Sequence, residues 1–441
     1  MARVRFLVTF FGALALVVVT AAPSAAAPPD ATAAVSYLES QQVTGADPAL
    51  GAGSWDADTG FGLAEFNTTE VVLALAEAAQ TGSTWNATEA RVAIEGVTNP
   101  DGRDPLDFLD HWAGTALDPA TAGKFLLLVA LPLDDGAAGF APSAWDPAGD
   151  GTPVDLVAAL DGGCADDPAN YGFYVETFVA MQAKAQLCGT AGPASVAFTR
   201  AAQQANGGWS FDGDPTGATE ADVDVTSQAI MALVAGGVPG NDPAVVGGLT
   251  FIAERQQPEG WWNAFGSASP DTTSRAMLAI VAAGFDPASS AWRDAVLPSA
   301  AGTPYTSHDD ALGALQQADG SVVGPATFSA SYATAQAIQG VERSWLPVVQ
   351  ATPFEPPTEP PPIEPPPAEP PPTEQPPIVD PGLETHGGGP ADGGAGDQVG
   401  AAREVPSTLP RTGAPLATLA FAGLALTATG AATRILFRMM R

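Results

Sequence analysis

Gln203-Gln204-Ala205-Asn206-Gly207-Gly208-Trp209 leads into Glu220-Ala221-Asp222-Val223-Asp224-Val225-Thr226-Ser227-Gln228-Ala229-Ile230-Met231-Ala232-Leu233. The chain then repeats the pattern: Gln256-Gln257-Pro258-Glu259-Gly260-Trp261-Trp262, followed by Ser269-Pro270-Asp271-Thr272-Thr273-Ser274-Arg275-Ala276-Met277-Leu278-Ala279. Looser copies are Gln316-Gln317-Ala318-Asp319-Gly320 with Ser331-Tyr332-Ala333-Thr334, and Gln41-Gln42 with Gly53-Ser54-Trp55. Thr69, Thr121, Thr177, Thr226, Thr273 and Thr334 mark six units, spaced 52, 56, 49, 47 and 61 residues apart. Regular self-similarity of this kind identifies a repeat architecture. Each unit is long enough for two helices and a loop.

The chemistry of the turn is legible. Glycine takes the left-handed conformation that ends a helix. Tryptophan folds back as an anchor between neighbouring hairpins. Asp or Thr opens the next helix by accepting its free amide protons. That next helix is apolar on nearly all sides, as in Ala276 to Ala283, so it is expected to be buried all round. A single hairpin cannot cover such a surface and must stack on copies of itself. Six outer and six inner helices are therefore expected to close into a ring over residues 28–348, with the apolar helices inside.

Gln203-x-x-x-Gly207-x-Trp209 and Gln256-x-x-x-Gly260-x-Trp262 resemble the QW motif of the prenyltransferase and squalene-cyclase repeat. The resemblance runs from about residue 31 to 343. It is clearest in the last three units. It implies an all-α fold, the α6–α6 barrel or αα-toroid of the terpenoid cyclase superfamily. That superfamily contains triterpene cyclases, protein prenyltransferase subunits, complement thioester domains and vitamin B12 carriers, so the fold alone does not select an activity.

Each activity makes a demand on residues. The cyclase resemblance places Asp224 at the proton-donating position of an Asp-x-Asp-Asp motif, but Val225 stands where the last Asp belongs. Helix capping is the plainer role for Asp222 and Asp224. No Asp-x-Cys with a matching His supports a prenyltransferase zinc site, and the Cys-Gly-Glu-Gln thioester sequence is missing. A carrier needs only a cavity with aromatic walls and a few polar groups. Trp209, Phe211, Trp261, Trp262 and Tyr332, beside Asp222, Asp224 and Asp271, are the candidate lining, with hairpin packing as the alternative for each aromatic. The sequence reading therefore places first a head that binds a small amphipathic ligand, cobalamin among the candidates, or a surface partner, without catalysis. An exported cyclase-like enzyme acting on an isoprenoid lipid, with Asp224 as its acid, is the alternative, and a structural adhesive head a third. No cofactor or metal is expected. His308-Asp309-Asp310 reads as a solvated helix start.

The ends of the chain carry addresses rather than fold. Residues 1–27 have Arg3 and Arg5 before an apolar run and a Ser24-Ala25-Ala26 cleavage pattern, as a secretory signal peptide does. Residues 349–408 form a stalk, Pro/Glu-rich from Pro353 to Pro381 and then Gly-rich, expected as stiff polyproline II followed by flexible chain. Residues 409–441 begin Leu409-Pro410-Arg411-Thr412-Gly413, continue apolar from Leu416 to Thr433, and end in Arg434, Arg438 and Arg441. That order resembles the LPxTG sorting signal of Gram-positive surface proteins. It implies a transmembrane helix and cleavage by a sortase after Thr412, which would join the chain covalently to peptidoglycan at the cell surface. An ordinary single-pass anchor is the alternative.

The full chain carries 16 basic and 49 acidic residues, a net charge of −33. Losing residues 1–27 and everything after Thr412 removes five basic residues and no acid, leaving 11 against 49 and a net of −38. Such a surface argues against nucleic acid as a partner. Cys164 and Cys188 are the two cysteines, and export makes a disulfide between them the expectation, with two buried thiols as the alternative.

Overall fold

The computed structural model describes residues 27–343, apart from 56–62, 83, 116, 161–162, 169–173 and 328. The chain divides into Met1–Glu364 and Pro365–Arg441, and every described residue lies in the first unit. The signal segment, the stalk and the sorting motif Leu409 to Gly413 fall outside the described residues. Among those described, no helix is long and apolar enough to cross a membrane.

In chain order the helices are α1 (Ala31–Ser40), α2 (Leu63–Ala78), α3 (Ala87–Gly96), α4 (Pro105–Ala113) and α5 (Pro119–Phe125). The last continues through a π-helical turn, Leu126–Ala130, into α6 (Leu131–Leu133). There follow α7 (Leu156–Ala159), α8 (Tyr174–Cys188), α9 (Pro193–Ala201), α10 (Val223–Ala235) and α11 (Pro243–Arg255). The chain closes with α12 (Pro270–Ala282), α13 (Ala291–Val296), α14 (His308–Leu315) and α15 (Ala330–Glu342). Two short antiparallel ribbons are the only strand pairs among the described residues. They are β1 (Trp209–Ser210) with β2 (Ala221–Asp222), and β3 (Trp262–Ala264) with β4 (Ser267–Ser269). Each ribbon joins the end of an outer helix to the start of an inner one.

Packing closes these rods into a ring. The inner helices touch in the order α2, α5 with its π-helical continuation, α8, α10, α12, α15, and α15 returns to α2. All six threonine markers lie on these six helices. The remaining helices lie outside, with α1 against α15 and α2, α9 against α10, α11 against α10 and α12, and α14 against α12. The outer layer is less regular than six equal rods, because α7 is only four residues long and α13 six. Small residues set the spacing inside. A Cβ on Gly123 would stand 3.2 Å from the Cα of Ala180 on α8, and one on Gly340 would stand 3.0 Å from the Ser274 side chain on α12. The π turn falls where Pro132 removes a backbone donor from the rod, a usual cause of local rewinding.

The Gln/Gly/Trp turns work as three-part clamps. Each Trp indole N–H donates to a carbonyl of the outer helix behind it: Trp55 to Leu38, Trp209 to Thr199 and Trp262 to Ile252, each at 2.7 Å. All three rings are fully buried. The glycines Gly207, Gly260 and Gly320 have φ of +86°, +95° and +94°, and each presses on the next outer segment. A Cβ there would overlap the Gly247 carbonyl, the Ser307 and Thr306 carbonyls, or the Ala33 carbonyl respectively. The glutamine then spans the junction. Gln203 Nε2 donates to the carbonyls of Gly207 and Ala244, each at 2.8 Å. Gln316 joins the two ends of the described chain: its Oε1 accepts from Asp30 N–H at 2.7 Å and its Nε2 donates to the Asp30 carbonyl at 2.9 Å.

The threonines act differently from the sequence expectation of helix-opening caps. Thr226 and Thr273 accept the backbone N–H of Trp209 and Trp262, at 3.0 and 3.1 Å. Thr334 does the same for Val322 at 2.9 Å. In the first unit the acceptor for Trp55 is Thr68 rather than Thr69, at 3.2 Å, so the repeat register there moves by one residue. The caps proper are Asp222 for α10, Ser269 for α12 and Ser329 for α15. Cys164 and Cys188 are joined in a disulfide that ties the segment before α8 to its last residue.

Candidate active site

With the corrected register, positions two before the clamping threonine are Phe66, Asp224, Asp271 and Tyr332. Positions two after it are Glu70, Gln228, Arg275 and Gln336. Because all inner helices begin at the same end of the ring, these form two successive layers near the helix starts. The first carries aromatic and carboxyl groups. The second carries amides and charges. Lys124, from α5, reaches both.

The second layer centres on Glu70, which has no exposed surface. Its Oε1 lies 2.8 Å from Arg275 Nη2 and 3.0 Å from Lys124 Nζ, and its Oε2 accepts from Gln339 Nε2 at 3.0 Å. Burial alone would push this carboxyl up, but Arg275 and Lys124 together hold it down at about 2. Burial also draws the Lys124 ammonium down to about 8 despite Glu70, with Arg275 acting in the same direction. Lys124 lies 2.8 Å from the centroid of the Phe66 ring, which stacks on Tyr332 at 5.6 Å. Burial foremost, then the Glu70 charge, raises the Tyr332 hydroxyl, so it stays a phenol and bonds Arg275. Gln182 on α8 donates to Gln228 on α10 at 2.9 Å, extending the polar layer to the sixth inner helix.

Asp224 holds the most unusual group of the first layer. Its Oδ2 accepts from the Thr272 hydroxyl at 3.1 Å. Its Oδ1 is buried and has no hydrogen-bond partner among the described residues. Burial, and next the carboxyls of Asp222 and Asp271, raise its pKa well above the usual carboxylate range, and Thr272 and Arg275 do not offset them. Burial and like charge both favour the protonated form of this carboxyl. Asp271, on the adjacent helix α12, adds its charge to that of Asp222, and its Oδ1 accepts from Ser269 at 2.5 Å.

The remaining sequence candidates divide. Asp222 caps α10 through the N–H groups of Asp224 and Val225, the capping role expected from its position. Asp224 lies inside the helix and caps nothing. Trp209 and Trp262 are occupied in hairpin packing and offer no surface to a ligand. Trp261 packs at the junction of α12, α14 and α15 with Met277, Leu312 and Ala337. Phe211 is 43 % exposed beside the first ribbon. His308 is not solvated as the sequence suggested. It is fully buried and stacks on Trp262 at 4.6 Å, with Nδ1 2.9 Å from the Pro287 carbonyl. Glu70, Lys124, Arg275 and Gln339 were absent from the sequence candidates. The offset of two from a threonine marker would have found Glu70 and Arg275, had the first unit been counted from Thr68. No sequence signal singles out Lys124 or Gln339.

No family model and no curated protein matches the chain. Among solved structures it is similar to two of the type II terpene cyclase MstE from Scytonema. One holds its product, merosterolic acid A, and the other its substrate, geranylgeranyl dihydroxybenzoate. Each is 14 % identical with a TM-score of 0.42, over 71 % of this chain and 96 % of the other. The toroid assignment stands on the helix packing described above, and nothing about activity is taken from these neighbours.

Proposed function

We propose that the protein is an exported toroid enzyme that protonates an isoprenoid substrate at Asp224, tethered to the cell wall through Thr412. This reverses the order of the two readings offered by the sequence, which placed ligand binding without catalysis first. One observation carries the change: the carboxyl of Asp224 is buried, surrounded by other acids and left with an unpartnered oxygen. Helix capping, the alternative for Asp224, is done by Asp222 instead.

The chemistry is a proton transfer. The Asp224 O–H proton passes to one carbon of a substrate double bond, whose π electrons form the new C–H bond. Asp224 becomes a carboxylate and the other carbon a cation. The cation is consumed by ring closure and loss of a proton to a base, and Asp224 regains a proton from solvent. Substrate and product are therefore isomers, and no cofactor is required. A carboxyl held neutral by burial and like charges suits this step, because only the protonated form has a proton to give at neutral pH.

The test uses the full chain with a linear polyprenol and the matching terminal epoxide, with products read by mass spectrometry. The wild type should yield cyclic isomers. Asp224→Asn should fold, bind and leave the substrate untouched. No consumption of either probe by the wild type would end the proposal, as would turnover retained in Asp224→Asn. Attachment is checked separately: Thr412→Ala should move the protein out of the fraction released by a wall-digesting muramidase.

A further inference from the structure

One buried carboxylate, Glu70, holds two cations, and one of them, Arg275, lies on the helix that bonds the acid. Arg275 rises from α12 one turn after Asp271 and three residues after Thr272, whose hydroxyl bonds Asp224 Oδ2 at 3.1 Å, and its charge favours the ionised form of that carboxyl. Lys124 enters from α5 and shares Glu70 Oε1 with Arg275. Glu70 itself is pinned by Gln339, which donates both to its Oε2 and to its backbone carbonyl, at 3.0 and 2.9 Å. This is a fixed arrangement drawn from α2, α5, α12 and α15. No pair in it is close in sequence: Glu70 and Arg275 are 205 residues apart, and Glu70 and Gln339 are 269.

We propose that Glu70 is the positioning residue of the site: by binding Lys124 and Arg275 together it offsets the cationic charge held one turn below Asp224 and keeps that carboxyl protonated. The inference rests on the acid role given to Asp224 above. Without Glu70, the Arg275 guanidinium and the Lys124 ammonium would stand uncompensated in the buried interior, about a turn below a carboxyl that has an unused oxygen. The proton would leave Asp224, and the site would hold an ion pair where it needs a donor. The other ionisable groups around Asp224 do not supply this control. Asp222 on its own helix and Asp271 on α12 favour the neutral form but cannot neutralise a cation held a turn deeper. Tyr332 on α15 stays a neutral phenol. Glu176 begins α8 at the same end of the ring. Outside the ring, Arg200 on α9 is held by Asp242, and Arg255 on α11 lies over Phe251 beside Glu254.

The experiment is a pH titration of the full chain by infrared difference spectroscopy without substrate, following the C=O stretch of the protonated carboxyl that disappears in Asp224→Asn. In Glu70→Gln this band should titrate at least about one pH unit lower than in the wild type, the size of effect expected when a neighbouring charge is unmasked. Lys124→Met should move it the other way. The double variant Glu70→Gln/Lys124→Met should return toward the wild-type midpoint, which a purely packing role for Glu70 would not produce. An unchanged midpoint in a folded Glu70→Gln overturns the proposal. If Glu70→Gln does not fold, a Lys124→Met midpoint that fails to rise overturns it instead. Because no substrate is present, absence of isoprenoid turnover would remove the function while leaving this charge control standing. A wild-type Asp224 already ionised at neutral pH would remove both.

Discussion

Replacing Gly320 with alanine attacks the point where the ring closes. Gly320 has a φ of +94°, and a Cβ there would overlap the Ala33 carbonyl of α1. Alanine in that backbone conformation costs about 1–2 kcal/mol by itself. Relieving the overlap pushes α1 away, at a further cost of about 1–3 kcal/mol for a packed contact forced apart. The same movement weakens the Gln316–Asp30 bonds, which contribute about 1 kcal/mol each. The expected total is about 4 kcal/mol. The structure supplies its own control in Gly302, with φ +76° and nothing within 4 Å of the added carbon, so Gly302→Ala carries only the backbone cost of about 1–2 kcal/mol. Urea unfolding followed by tryptophan fluorescence separates the two. Limited proteolysis should also find α1 released first in Gly320→Ala. Equal unfolding midpoints for the two variants would refute the claim that this glycine is required by ring closure.

Thr273→Val leaves the buried N–H of Trp262 without its acceptor and should destabilise the protein by about 1–3 kcal/mol in the same assay, whereas Thr115→Val, whose hydroxyl donates to the Trp112 carbonyl at the surface, should cost far less. Converting Cys164 and Cys188 to serine frees a loop with a sequence separation of 24 and should lower stability by about 3 kcal/mol, read as a lower urea midpoint. Burial first, then Arg343 and Arg293, hold the His308 imidazole neutral down to about 3. The unfolded chain binds that proton near its ordinary 6.5, so the contribution of neutral His308 is complete above 6.5 and is lost as pH falls toward 3. In His308→Asn the slope of stability against pH over this window should flatten, and an unchanged slope would reassign the acid sensitivity to other groups.

Local chemistry made much of the fold legible. The Gln-x-x-x-Gly-x-Trp turn needs a left-handed glycine, and an Ala-rich helix after it has no polar face to show solvent, so the hairpin and its burial follow from short stretches of chain. The pairing of Cys164 with Cys188 followed from a count of two and the expectation of export. His308 was misread because a histidine followed by two aspartates looks solvated. Its burial comes from Trp262, supplied by the preceding hairpin. Trp209 and Trp262 were read as candidate lining because an aromatic near a helix start is chemically the same whether it faces a chamber or a neighbouring helix.

The amino-acid sequence by itself determined a tandem set of helical hairpins and the apolar character of the inner rods, because both arise from periodicity and turn chemistry within a few residues. Tertiary structure alone decided that Glu70 holds Lys124 and Arg275, and that the charge of Asp271 on α12 acts on Asp224 on α10. Those relations join helices brought together only when α15 meets α2. Charge interactions depend on distance through space and on burial, and neither is encoded in the spacing of residues along the chain.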